Sequence, residues 1–260
     1  MCRGMVRRSC GFVSVVAWLT VCSAALAAEK DQPPRPVLRE LKGQELRDAR
    51  EARDRADVLR AAYERPRQGP HGAAKDEAEF AKVAAAYRDA IAKCKGTEIA
   101  AYCLVRLAGA HMFSKEYDKA AEVLNELASG YPGTEHEAEA YFTFGLMHLQ
   151  NRHDPAAALP WFGKVQPPPT ADDDGTVPDR KYSKADVRYI SAQQCLAKCE
   201  IRLGDPAGAA QRVEALGRRY PQYRASFEKS LRFEVRSALS DSRLKDLKPV
   251  LEDWLKRNPE

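Results

Sequence analysis

The 260 residues include 42 Lys and Arg against 37 Asp and Glu, and 44% are apolar. That balance suits a chain that buries a core and excludes a disordered one. The formal net charge of +5 rests largely on Arg3, Arg7 and Arg8. Without residues 1–27 the chain has 39 basic and 37 acidic residues, too near neutral for the electrostatic footprint of a nucleic-acid binder.

Residues 1–27 read as a secretory leader. A basic start ends at Arg7-Arg8, an apolar stretch runs from Gly11 to Cys22, and Ala25-Leu26-Ala27 forms a small-residue cleavage pattern. The apolar stretch is short for a span, which needs about 20 residues. Membrane contact is therefore expected only through an uncleaved leader. Lipidation at Cys22 is disfavoured because Val21 is bulky where such signals carry a small residue. Export places the chain in the periplasm or at the cell envelope.

Residues 28–37 form a Pro-rich spacer (DQPPRP at 31–36), since proline cannot extend a helix. A charged helix is expected over 38–65. Its Ala49, Ala52, Ala56, Leu59 and Tyr63 recur at helical spacing. That narrow seam suits either a helix lying on the next element or a short coiled coil joining two chains.

After the breaker cluster Pro66–Gly72, one pattern recurs. Phe80, Val83, Tyr87 and Ala90 share their spacing with Tyr117, Ala120, Leu124 and Leu127. The same face returns in Pro155, Ala158, Phe162 and Val165, then in Pro206, Ala209, Val213 and Leu216, and finally in Leu244, Leu247, Leu251 and Trp254. The first residues of these sets lie 37, 38, 51 and 38 apart, so one insertion at 167–180, rich in Pro and Asp, accounts for the outlier. A large–small pair precedes three of the sets: Leu107-Ala108, Phe144-Gly145 and Leu196-Ala197. Tyr131-Pro132, Tyr220-Pro221 and Asn258-Pro259 close units, while Thr134 with Glu137 and Ser183 with Asp186 are capping pairs that start first helices. The expectation is an all-α chain of repeated helix pairs over 75–260.

These residues resemble tetratricopeptide repeats, most closely in Glu116-Tyr117-Asp118-Lys119-Ala120 with Leu124 and Tyr131-Pro132-Gly133-Thr134. Such junctions are similar to those of exported bacterial repeat proteins of the Tol–Pal-associated and outer-membrane-assembly kinds. The resemblance covers residues 75–260, with a spacing longer than the family's 34 and with Pro155 in place of an aromatic residue. It implies an α-solenoid and a non-catalytic scaffold for a protein or peptide partner. It also implies an inner groove lined by first-helix residues: Tyr102, Met112, Phe142, Gln150, Lys198, Arg202, Arg232 and Arg236. That row runs from apolar to basic, which suits a partner with an acidic end. The family's paired Asn and Lys clamp for carboxylates is missing. A subunit of an envelope assembly or cell-division complex, oligomerising through the charged helix, is the alternative.

Chemistry-bearing residues are sparse. Cys94 and Cys103 flank a turn and are a candidate disulfide in an oxidising compartment. Cys195 and Cys199 share a helix face and read as small core residues. His111 and His148 hold equivalent places in successive units, the only basis for a metal-dependent enzyme. Asp172-Asp173-Asp174-Gly175 resembles the start of a calcium loop, but its acids are consecutive where such a loop alternates them. No nucleophile elbow, phosphate loop, zinc-protease motif or dinucleotide fingerprint occurs, so neither an enzyme nor a cofactor is expected.

Overall fold

The computed structural model describes residues 37–65, 77–168 and 183–259. The leader, nearly all of the spacer, the acidic Asp172–Asp174 stretch and most of the insertion lie outside them. Among the described residues there are ten α-helices and no strand. They are α1 (Gly43–Glu64), α2 (Glu77–Lys93), α3 (Glu98–Phe113), α4 (Tyr117–Gly130), α5 (Glu135–Leu146), α6 (Pro155–Gly163), α7 (Lys184–Arg202), α8 (Pro206–Arg219), α9 (Arg224–Ser240) and α10 (Lys248–Arg257). Each packs on its neighbours in sequence, and each odd-numbered helix also touches the next odd one from α1 to α9.

The expected core faces are the buried ones. Val83, Tyr87, Ala90, Ala120, Leu124, Leu127, Ala158, Phe162, Ala209 and Leu251 are buried. So are the large–small pairs on α3, α5 and α7. Gly145 shows why the second member is small. A Cβ on it would stand 2.5 Å from the fully buried Phe162 ring, so only glycine lets α5 and α6 meet there.

The charged N-terminal helix begins at Gly43, not at residue 38, because the preceding segment is spent on another contact: the Arg39 N–H donates to the Gly96 carbonyl at 3.0 Å. Ala49, Ala52 and Ala56 are buried, with Leu59 and Tyr63 packed at the edge of the same core as α2 and α3. The alanine seam is thus covered by this chain's own helices.

The turns between paired helices repeat in detail. Lys115, His153 and Gly204 all take left-handed backbone, with φ of 62°, 55° and 87°. The next N–H, of Glu116, Asp154 or Asp205, donates to the carbonyl of His111, His148 or Glu200, each at 2.9 Å. The Asp154 and Asp205 carboxylates then cap α6 and α8. The middle turn spans one residue more than the other two. Met147–Asn151 absorbs it as a π-helical turn, which explains a spacing of 38 where the preceding unit has 37.

Two expectations at helix ends need correction. Leu244 and Leu247 belong to a 3-10 segment, Ser242–Leu247, in which Leu244 is non-helical. The last helix starts only at Lys248, where Pro249 sits in the first turn and its missing N–H loses nothing. The reciprocal box at Thr134 is also incomplete: its hydroxyl accepts from the His136 N–H, and Glu137 accepts from Gly133. Ser183 and Asp186 do form the full box on α7, and the Tyr220 hydroxyl donates to the buried Asp186 at 3.1 Å. Tyr131 makes the corresponding bond in the α3–α4 unit, donating to the Thr97 carbonyl at 3.2 Å.

Candidate interaction surface

The odd helices carry every residue of the expected groove, with Gln150 on the π-helical turn after α5. The structure uses these residues unequally. Met112 and Phe142 are half-buried; Met112 packs on the core of the first units, and the Phe142 ring lies 5.7 Å from Phe162. Gln150, Tyr102 and Arg236 are exposed, and Arg232 is half-buried.

The basic half of the groove is not a free positive patch. Lys198 Nζ lies 3.1 Å from Glu234 on α9, and Arg202 Nη1 lies 3.6 Å from Asp241 at the end of that helix. Arg243 also donates to Asp241, and these bonds hold its carboxyl well below the usual carboxylate range. Two of the four cations expected to attract an acidic partner, Lys198 and Arg202, therefore tie α7 to α9.

The same device runs along the odd helices. Asp57 on α1 lies 3.5 Å from Arg106 on α3, His136 on α5 lies 3.5 Å from Glu98 on α3, and Arg188 on α7 pairs with Glu139 on α5. Asp57 does more than pair. Its two oxygens accept the hydroxyls of Tyr87 at 2.6 Å and Tyr102 at 3.1 Å, so one carboxylate joins α1, α2 and α3. The guanidinium carbons of Arg53 and Arg106 stand 6.0 and 5.9 Å from the Tyr102 ring centroid. Asp57 did not stand out in the sequence, and nothing there joined it to Tyr87 or Tyr102, because acids and arginines line the whole of α1 and only packing selects one.

The remaining candidates separate. His111 Nδ1 bonds Glu116 at 2.8 Å, while half-buried His148 sits on the π-helical turn with its Nδ1 buried and unpaired among the described residues. Burial, and then nearby Arg152, lowers the His148 pKa. Cys94 and Cys103, the candidate disulfide, are free thiols in this structure. Both are buried thiols; Cys94 Sγ donates to the Ala90 carbonyl, and the two side chains belong to different core clusters. Burial pushes the Cys195 and Cys199 thiols up to about 11 and about 12, which keeps them protonated and apolar in character. Among the described residues no cluster of three metal-donor side chains forms, and no helix is long and apolar enough to cross a membrane. Compared with known families, curated proteins and solved structures, the chain matches none at a significant level.

Proposed function

We propose that this chain is an exported, non-catalytic scaffold of tetratricopeptide-like helix pairs that binds a protein or peptide partner at the cell envelope. The observation that carries the reading is the repeated turn: Lys115, His153 and Gly204 each end a first helix in left-handed backbone with the same 2.9 Å closing bond. Units built alike stack alike, and the odd helices that touch one another become the inner face of a solenoid. A face held by its own ion pairs is ordered before a partner arrives, so binding it loses little conformational entropy.

The ion pairs redirect where contact is made. With Lys198 and Arg202 bound to acids, contact falls to the exposed or half-buried side chains elsewhere on the odd-helix side, Gln150 and Arg232 among them. The alternative of an assembly subunit joined through the N-terminal helix draws no support from the alanine seam, which faces α2 and α3. The test is affinity capture from envelope extract with residues 28–260, beside a variant carrying Tyr102→Ala, Gln150→Ala, Arg232→Glu and Arg236→Glu. A partner held by the first and lost from the second, at equal helicity, supports the reading. Equal capture by both moves the site off the odd helices.

A further inference from the structure

The bonds that neutralise Lys198 and Arg202 also use up the acids around α9. That helix carries two acids, Glu228 and Glu234, against four cations, Arg224, Lys229, Arg232 and Arg236. Arg224 Nε lies 3.1 Å from Glu228, and Glu234 is held by Lys198 at 3.1 Å. Asp241, just beyond the helix, is taken by Arg202 and Arg243. On α10, Glu252 and Asp253 pair with Lys248 and Arg257. Exposed Lys229 and half-buried Arg232 are left with no acid of their own helix to meet.

These two cations share a face with an aromatic ring. Lys229, Arg232, Phe233 and Arg236 stand at i, i+3, i+4 and i+7, which is one side of a helix. The buried stripe of Phe227, Leu231, Val235 and Ala238 occupies the other side. Phe233 is 67% exposed, more than any other aromatic side chain among the described residues. Ser230 and Ser237, its neighbours one turn away, are too short to cover the ring. A lone exposed ring needs no explanation, but one framed by cations that lack acids offers both halves of a recognition site.

We infer that this face of α9 docks an acidic segment of a partner protein, in which a leucine or phenylalanine is set among Asp or Glu residues. The apolar side chain covers the Phe233 ring and both leave water. The flanking carboxylates meet Lys229 and Arg232, whose methylene stems line the same contact. An anionic membrane surface fits less well, because it draws on a wide positive field, and the chain without residues 1–27 is nearly neutral. The inference rests on the reading of the odd helices as the contact face and adds the chemistry of the partner.

The experiment titrates the full chain with the acetylated, amidated peptide Glu-Glu-Leu-Glu-Glu-Phe-Glu-Glu and follows backbone amide resonances. A second peptide carries Gln in place of every Glu, and a third carries Ala in place of Leu and Phe. The acidic peptide gives saturable shifts centred on residues 229–233 that weaken as salt rises, and both control peptides bind more weakly. Phe233→Ala and Lys229→Glu, changes at exposed positions that leave the core in place, each weaken binding about threefold to tenfold. No shifts, equal binding of the three peptides, or an unchanged affinity in both variants overturns the inference. So do shifts at these residues with phosphatidylglycerol vesicles but not with the acidic peptide. If the peptide fails while the groove variant still loses its captured partner, the contact face stands and the acidic chemistry falls.

Discussion

Single residues set the tightest constraints in this chain. Gly145 is one, because the Phe162 ring occupies the volume of its missing side chain. Gly145→Ala forces that buried ring off its position and is expected to lower unfolding free energy by about 1–3 kcal/mol in urea titration. A change within about 0.5 kcal/mol means that α5 and α6 separate freely. Asp57 is another: Asp57→Ala strands the Tyr87 hydroxyl, and the loss of a charged acceptor from two phenols destabilises by about 1–3 kcal/mol. His148 gives a pH dependence with a fixed sign. Its folded pKa lies below the ordinary value of 6.5, so the unfolded chain binds the proton first. The stability involved is present above about pH 6.5 and is lost as pH falls through the folded value. Thermal melts from pH 8 to pH 5 are expected to drop further for the natural chain than for His148→Gln. Parallel slopes would assign the acid sensitivity elsewhere.

At the scale of elements, the core faces were legible and the turns were not. The spacing of Ala120, Leu124 and Leu127 declares a helix face because period and burial coincide there. The leading residues at 37 and 38 apart gave no hint that the odd residue is absorbed within a helix instead of a loop, since periodicity cannot distinguish the two. Leu244 and Leu247 misled for a related reason: their spacing continues a helix that Pro249 allows to start only at Lys248. The π-helical turn makes a specific prediction. Deleting exposed Gln150 converts Met147–Asn151 to ordinary helix and brings the turn to the length found after α3. Helicity is expected to hold, with stability within about 1 kcal/mol of the natural chain. Deleting buried Ala110 from α3 rotates Leu107 and Ala108 out of register and costs several times more. Equal damage from the two deletions contradicts the insertion account.

For the molecule as a whole, the groove was half legible. Carrying the family pattern onto this chain picks residues of the odd helices, and the first-helix positions follow from the large–small pairs. The electrostatics do not follow, because Glu234 and Asp241 lie 36 and 39 positions from the lysine and arginine they neutralise. Pairing across units is invisible to a count of charges along one helix.

The measurement that most directly tests the scaffold is site-specific photocrosslinking in cells that make the protein. A benzophenone amino acid is placed one position at a time at Tyr102, Gln150 and Arg236 on the odd-helix side, and at Asn125 and Arg218 on α4 and α8. The account predicts that the first three sites trap one common partner and the last two do not. Trapping only from Asn125 and Arg218, or none from any site, would contradict it.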